Sequence, residues 1–249
     1  MLSAKGISTR IDGRLILDQV TFEAKPGAVT AIVGPNGSGK TTLLKTMTGD
    51  CDHTGVVTLN GVDIAGQPAW ALAATRAVLP QASTLAFPFP VIDVVRIGLH
   101  RGISAQSTTV PQQALARVGL SDYADTPYQM LSGGEQQRVQ LARVLAQGWQ
   151  PVLNDAPRWL MLDEPVSSLD IGHQLEVMEI AKDFARRGGG VVAVMHDLNL
   201  TAMYADAVTM MQGGTVLAHG TPSEVFTDTN LTQAYGCPLR VSALPASGA

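Results

Sequence analysis

The chain has 249 residues, of which 45% are hydrophobic and 15% charged, and its formal net charge is −4 at neutral pH. This composition supports a substantial core and excludes a disordered chain. The negative charge, without a long basic run, argues against a nucleic-acid partner. Cys51 and Cys237 lie far apart, which is typical of a reducing compartment and excludes a cysteine zinc site. Because the N-terminus lacks a signal-peptide pattern and no apolar run approaches the ~20 residues of a spanning helix, we expect a cytosolic protein or one held at the inner face of a membrane.

The first eighty residues predict antiparallel strands around a strand–loop–helix unit. Residues 1–24 alternate between apolar and polar, with a hairpin turn at Ile11–Arg14 between two runs. Asn60-Gly61, flanked by β-branched residues, is a second strong hairpin signal. Ala77–Leu79 predicts a further core strand that ends just before Gln81.

A glycine-rich loop connects a buried strand predicted at Val29–Val33 to a helix predicted at Thr41–Met47. The loop consists of Gly34, Pro35, Asn36, Gly37, Ser38, Gly39, Lys40 and Thr41, with Thr42 directly behind it. Backbone N–H groups in a G-x-x-x-x-G-K-[ST] loop, together with the positive end of the helix, bind phosphate oxygens. Lys40 is placed to reach the outer phosphates, and the Thr41 hydroxyl to ligate Mg²⁺. The sequence therefore predicts a site for a nucleoside triphosphate.

Helices and polar loops predominate between residues 87 and 157. Val91–Leu99 and Pro111–Val118 predict two helices. Ser132 is the predicted N-cap of a third helix that runs to Leu145. We interpret this span as a helical subdomain inserted in an α/β core.

Strands and helices alternate from residue 159 onward. Apolar runs at Trp159–Leu162 and Val191–Met195 predict strands covered on both faces, and Ile171–Arg187 predicts an amphipathic helix between them. Three shorter elements follow, at Leu198–Tyr204, Ala207–Met211 and Thr215–His219. This alternation predicts a mostly parallel sheet.

Two carboxylates, Asp163 and Glu164, close the apolar run at Trp159–Leu162. The carboxyl end of a parallel strand lies beside the phosphate-binding loop in such sheets. We therefore predict that Asp163 holds Mg²⁺, directly or through water, and that Glu164 polarises an attacking water. The alternative is an ordinary surface pair before Pro165.

Ser132, Gly133 and Gly134 form a second predicted anion site, because they expose a hydroxyl and backbone N–H groups at a helix start. Alone, such a cap is ordinary. Here it lies between a phosphate-binding loop and an Asp-Glu strand, and in this order the motifs resemble an ATP-binding cassette (ABC) nucleotide-binding subunit. The resemblance covers nearly the whole chain.

Three further residues resemble functional residues of that family. Gln81 resembles the Q-loop glutamine, which contacts Mg²⁺ and water and responds to the membrane partner. Asp170, at the end of Ser167–Asp170, resembles the D-loop aspartate that faces the opposite subunit. His196 resembles the switch histidine that contacts the γ-phosphate.

The resemblance also implies the fold and the partners. We expect one ABC domain in residues 1–249. Its α/β core has the P-loop NTPase fold, covers about 1–86 and 158–249, and combines a mixed sheet with an antiparallel β layer. A helical subdomain at about 87–157 is inserted in this core. Two copies pair head to tail in this family, so Ser132, Gly133 and Gly134 of one copy close on the ATP held by Lys40 of the other. ATP and Mg²⁺ are the implied cofactors.

One position departs from the family pattern. The adenine is usually stacked by an aromatic residue near the end of the first strand, and Ile11 occupies that position. Isoleucine offers apolar contact but no π-stacking. Base recognition is therefore predicted to be looser, or to depend on another residue.

Several features resemble the importers of metal chelates within the ABC family. A chain with one ATP-binding domain and no membrane-spanning segment needs a polytopic membrane permease dimer as its partner. Leu85–Val91 would lie where that permease docks. The alternative is that Phe87 or Phe89 is a core residue of the helical subdomain. The insertion at 148–157 and the run Val194–Leu200 resemble ATPases of haem importers. These features predict haem uptake across the bacterial inner membrane, with the protein at its cytoplasmic face and a periplasmic haem-binding protein as an indirect partner.

Other functions stay open at this point. The cargo could be a ferric siderophore or cobalamin, because the ATPase does not touch it. A soluble ABC ATPase of iron–sulfur assembly is a rival of similar size, whereas an exporter or a non-catalytic nucleotide-binding scaffold fits the motifs less well. His53, His100, His173 and His219 are scattered, and none is assigned to a metal.

Overall fold

The computed structural model describes residues 1–81, 87–99 and 107–242. Its strands are β1 (Leu2–Ile11), β2 (Arg14–Ala24), β3 (Val29–Val33), β4 (Thr54–Leu59), β5 (Val62–Asp63), β6 (Arg76–Leu79), β7 (Val152–Leu153), β8 (Ala156–Pro157), β9 (Trp159–Asp163), β10 (Gly190–Val194), β11 (Ala207–Gln212) and β12 (Thr215–Gly220). Its helices are α1 (Lys40–Met47), α2 (Ala69–Thr75), α3 (Val91–Ile97), α4 (Val110–Arg117), α5 (Gly133–Gln147), α6 (Ile171–Arg186), α7 (Leu198–Tyr204), α8 (Pro222–Val225) and α9 (Asp228–Tyr235). Three residues named in the sequence analysis, Leu85, Ala86 and His100, lie outside the described residues.

A six-stranded sheet forms the centre of the molecule, with the strand order β12-β11-β3-β10-β9-β6. Neighbouring strands are parallel except at one edge of the sheet, where β12 is antiparallel to β11. Every residue of β3, β9 and β10 is buried, as expected for parallel strands covered on both faces. The prediction of a mostly parallel sheet is confirmed.

A four-stranded antiparallel sheet, in the order β2-β1-β4-β5, covers one face of the central sheet. The turns that join its hairpins have left-handed backbones, with φ of 49° at Asp12 and 79° at Gly13, and of 53° at Asn60 and 81° at Gly61. Two consecutive left-handed residues are the requirement of the tight turns that match strand twist. Both predicted hairpins are confirmed.

The central strands contribute to two separate cores, because successive side chains along a strand point to opposite faces. Trp159 and Met161 in β9 pack with the antiparallel layer. Leu160 and Leu162 in the same strand pack with the helices on the other side. The central sheet therefore holds the antiparallel layer and the helical layer together.

Three α-helices, α3, α4 and α5, lie between β6 and β9 in the described residues, and the short hairpin of β7 and β8 follows them. Helices α3 and α4 both pack against α5, whose first turn is capped by Ser132 as predicted. Phe87 and Phe89, which precede α3, are 67% and 39% exposed, so neither is a core residue. Their rings meet edge to face, with centroids 6.3 Å apart.

No helix in residues 1–81, 87–99 or 107–242 has the length and apolarity to cross a membrane.

Candidate active site

The glycine-rich loop joins the end of β3 at Val33 to the start of α1 at Lys40. Two of its glycines are required by close packing. A Cβ at Gly34, where φ is 145°, would lie 2.2 Å from the Met211 carbonyl oxygen, and a Cβ at Gly39, where φ is 98°, would lie 2.8 Å from Leu17. Larger residues would displace the loop from the sheet, so these positions fix its backbone path.

Lys40 is buried and held by the loop itself. Its Nζ donates to the carbonyl oxygens of Gly34 at 2.9 Å and Pro35 at 3.1 Å. Burial lowers the pKa of Lys40, and the nearby carboxylates of Glu164 and Asp163 oppose that shift. The two carbonyls therefore orient the ammonium group at the loop where phosphate oxygens would bind.

An open cavity of about 600 Å³ lies against the loop. It is lined by Arg14, Ile16, Asn36, Gly37, Gly39, Lys40, Thr41, Thr42, Gln81, Glu164 and His196. Residues from five distant parts of the sequence thus meet at one site, and four of these parts, all but Arg14 and Ile16, were predicted from motifs. The cavity combines phosphate-binding groups with a carboxylate, an imidazole and an amide.

Glu164 and His196 are in direct contact, and the sequence did not predict this contact. His196 Nε2 donates to Glu164 Oε1 at 2.6 Å. Glu164 follows the last residue of β9 and has a left-handed backbone, with φ of 52°. This conformation costs a residue other than glycine on the order of 1 kcal/mol. Its side chain is 15% exposed and faces the cavity.

Thr41 and Asp163 meet at the start of α1. Thr41 Oγ1 donates to Asp163 Oδ1 at 3.1 Å, and Asp163 is almost fully buried. Burial raises the pKa of Asp163, while the bond from Thr41 opposes the shift. A hydroxyl and a carboxylate are oxygen donors of the kind that Mg²⁺ takes in phosphate sites, so these two residues fit the predicted metal role.

Ser132, Gly133 and Gly134 do not line this cavity, and neither does Asp170. Ser132 caps α5, and its Oγ donates to Glu135 Oε2 at 2.7 Å. Asp170 caps α6, accepting from the His173 backbone N–H at 3.0 Å. Ser132 and Asp170 are both exposed. Within one copy, the predicted second half of the nucleotide site therefore faces outward.

The end of the cavity formed by β2 differs from the sequence-based prediction. Ile11 is 42% exposed and is not among the residues that line the cavity, whereas Arg14 and Ile16 are. Arg14 pairs with Ile11 across the hairpin turn. Because residues two apart on a strand share a face, the spacing of Arg14 and Ile16 could have indicated their common orientation.

Comparison with known proteins identifies the family. Residues 17–167 match the ABC transporter family. Among similar curated proteins is Hemin import ATP-binding protein HmuV of Jannaschia sp. (strain CCS1), 58% identical over 249 residues, with 100% of this chain and 92% of that protein covered. The protein of the same name from Mesorhizobium japonicum (strain LMG 29417 / CECT 9101 / MAFF 303099) is 54% identical over 250 residues, with 99% and 95% covered.

Similar solved structures agree on the fold. The ATP-binding subunit of an ABC transporter superposes with a TM-score of 0.78 at 21% identity, covering 96% of this chain and 94% of that one. A bacterial Atm1-family ABC exporter with ATP bound gives 0.81 at 24% identity, covering 99% of this chain and 42% of that one. With the phosphate-binding loop, the two consecutive carboxylates and the capped helix α5 in place, the chain belongs to the ABC transporter family of ATP-binding proteins.

Proposed function

We propose that this chain is the ATP-hydrolysing subunit of an importer that takes haem across the bacterial inner membrane. The observation that carries the proposal is the cavity in which Lys40, Glu164 and His196 meet. The names of relatives up to 58% identical over the full chain support haem as the cargo. The chain itself would work at the cytoplasmic face, bound to a polytopic permease dimer, with a periplasmic haem-binding protein as an indirect partner.

The residues around the cavity have different roles in ATP hydrolysis. Lys40 and the loop N–H groups bind the β- and γ-phosphates. Glu164 accepts the proton of a water aligned with the γ-phosphate. His196 is hydrogen-bonded to the Glu164 carboxylate and fixes the orientation of that carboxylate. The imidazole also lies where a γ-phosphate oxygen would approach. Gln81, exposed at the cavity edge, orients the same water.

Mg²⁺ would be held by Thr41 and Asp163, with Gln81 as a further oxygen donor. When bound, the metal would neutralise charge on the phosphates during transfer. The contact between Thr41 and Asp163 already brings the two oxygens together on the loop side of the cavity.

A second copy of the chain would complete the site. Ser132 and Gly133 are exposed at the positive end of α5, next to Gly134, and nothing lies within 4 Å of a Cβ built at Gly133. A phosphate carried by another copy can therefore approach this helix start closely. Asp170 lies at an exposed helix start on the same subunit. We infer a head-to-tail dimer with two shared ATP sites.

The permease would dock on the exposed aromatic pair Phe87 and Phe89 and the neighbouring Met130. Phe87 is 67% exposed and Met130 77% exposed, and the Gln129 side chain donates to the Phe87 backbone. Exposed aromatic and methionine side chains held on a fixed backbone are the usual anchors of protein interfaces. This surface follows Gln81 in the chain, which would connect docking with the ATP site.

We further propose that Arg14 and Ile16 hold the adenine in place of the missing aromatic. A guanidinium plane stacks on a base much as it stacks on aromatic rings, and Ile16 supplies apolar contact. Replacing Arg14 with alanine is expected to raise the KM for ATP by about 5- to 20-fold, with kcat within about twofold, because a group remote from the γ-phosphate adds uniform binding.

The control for Arg14→Ala is Arg10→Ala, because Arg10 lies on the same hairpin but outside the cavity, with its guanidinium bonded to the Gly13 carbonyl. Steady-state ATPase assays against ATP and against a triphosphate without a base provide the measurement. An unchanged KM in Arg14→Ala would remove Arg14 from base recognition.

The function itself is tested by co-purification and reconstitution. The tagged chain is isolated from gently solubilised membranes, its partner is identified, and ATPase activity of the reconstituted complex is measured with haem-loaded binding protein. We expect a polytopic partner and stimulation by haem-loaded protein. Stimulation only by a siderophore- or cobalamin-loaded protein would keep the importer and reject haem, and a solely soluble partner would reject the transporter assignment.

A further inference from the structure

Two hydrogen bonds join the Gln137 side chain in α5 to the loop that follows β9. Its Nε2 donates to the backbone carbonyl oxygen of Glu164 at 3.0 Å. Its Oε1 accepts from the backbone N–H of Ser168 at 3.1 Å. One amide group therefore spans the segment 164–168 from its first residue to its last, and that amide comes from another part of the fold.

The first of these bonds holds a backbone that is strained. Glu164 has φ of 52°, and a residue other than glycine keeps such a conformation only where its surroundings enforce it. The Glu164 N–H donates to Val194 in the neighbouring strand at 3.2 Å, and Ser167 Oγ donates to the Glu164 carbonyl at 3.2 Å. The Ser167 N–H donates to the same carbonyl at 3.4 Å. The strand thus supplies one bond and the loop two, and Gln137 supplies the bond from the helical side.

The first turn of α5 also packs closely against the same loop. A Cβ built at Gly134 would lie 3.2 Å from the Ser168 carbonyl oxygen and 3.4 Å from Leu169 Cδ2. Gly134 and Gln137 are three residues apart, so they share one face of the helix. A movement of α5 relative to the central sheet would therefore carry the amide with it and pull directly on the backbone of Glu164.

We propose that Gln137 is a positioning residue for Glu164. It fixes the backbone from which the carboxylate reaches the attacking water, and it ties that backbone to the helix that begins at Ser132. The inference rests on the proposed role of Glu164. Gln137 does not line the ATP cavity in the described part of the chain, so it acts through Glu164 rather than on the nucleotide.

The test is Gln137→Met in the full chain, assembled with its membrane partner. Methionine keeps the length and removes both hydrogen bonds. Because a misplaced carboxylate slows the chemical step without weakening phosphate binding, we expect kcat to fall by about 10- to 50-fold while KM and the affinity for a fluorescent ATP analogue stay within about threefold. Gln137→Glu keeps an acceptor for Ser168 but loses the donor to Glu164, and it should show the same fall in kcat.

The matched control is Gln174→Met. Gln174 donates to the Leu169 carbonyl at 2.9 Å and the Val166 carbonyl at 3.4 Å, so it holds the same loop from α6 without touching Glu164. We expect kcat within about threefold of the wild-type value, because the bond at Glu164 remains. Thermal melting of each variant identifies loss of folding.

Three results would overturn the inference. The first is near-wild-type turnover in Gln137→Met, and the second is near-wild-type turnover in a folded Gln137→Glu. The third is an equal loss in Gln137→Met and Gln174→Met accompanied by weaker ATP binding, which would indicate general loosening of the loop. If Glu164→Gln is inactive while Gln137→Met is active, only this inference fails. If Glu164→Gln keeps wild-type turnover, the proposed role of Glu164 fails instead.

Discussion

Replacing Glu164 with glutamine is expected to lower the ATPase turnover number by about 100-fold or more while leaving ATP affinity within about threefold. Glutamine keeps the shape of the side chain and a hydrogen bond to His196, which Glu164 contacts at 2.6 Å. It cannot accept the proton of the attacking water. Because binding survives without hydrolysis, the variant should also accumulate as an ATP-bound dimer.

Steady-state ATPase assays, binding of a fluorescent ATP analogue and light scattering with and without ATP measure these three properties. Glu179→Gln is the matched control, since Glu179 is 59% exposed in α6 and pairs with Arg186 at 3.2 Å, on the molecular surface. Its activity should stay within about twofold of wild type. Wild-type turnover in Glu164→Gln would exclude Glu164 as the base.

Replacing Gly34 with alanine is expected to abolish measurable ATP binding and to lower the free energy of unfolding by about 2–5 kcal/mol. The new Cβ would lie 2.2 Å from the Met211 carbonyl oxygen and 3.0 Å from Ser38 Oγ. A backbone oxygen in a central strand cannot move aside without distorting the sheet, so the loop must move and its N–H groups lose their common direction.

Gly37→Ala is the control within the same loop. Gly37 also has a positive φ, 77°, but nothing lies within 4 Å of its Cβ position. Alanine there should cost only the conformational strain, about 1–2 kcal/mol. Urea unfolding and ATP-analogue binding distinguish the two variants. Equal losses in both would show that the close contact at Met211 does not determine the loop's conformation.

Much of the fold could be predicted because local pattern and final environment agree. The buried runs at Val29–Val33 and Trp159–Asp163 became central strands, and the two tight turns formed at Asp12-Gly13 and Asn60-Gly61. The Ser132 cap was predicted from residue type alone and has both bonds of a capping box. In each case the signal lies within a few residues of sequence.

The elements that were missed lack such a signal. Helix α2 (Ala69–Thr75) is apolar at every position but Thr75, so no apolar stripe distinguishes one face from another, and none of its residues is buried. The short hairpin of β7 and β8 has two residues in each strand, too few for alternation to be recognised. Helices α8 and α9 were also not predicted: α8 has a local signal, the Thr221–Glu224 capping box with Pro222, but it is only four residues long, and both helices pack against β11 and β12.

The site could be predicted as a set of residues but not as a geometry. Lys40, Glu164 and His196 were all identified from motifs, and they line one cavity. The contact between Glu164 and His196 spans 32 positions in sequence, and only the pairing of β9 with β10 brings it about. The two bonds from Gln137 to the loop after β9 were not predicted for the same reason, because tertiary packing places that loop beside α5.

The position of β3 in the central sheet has a consequence for how the protein is made. Its two neighbours are β10 and β11, which begin at Gly190 and Ala207. A chain emerging from the ribosome therefore exposes the phosphate-loop strand without its sheet partners until the segment that begins at Gly190 has been synthesised. Unpaired apolar strands invite aggregation. Val29–Val33 therefore depends on late-synthesised segments for its protection, and a product that ends before Gly190 lacks both strands that flank it in the sheet.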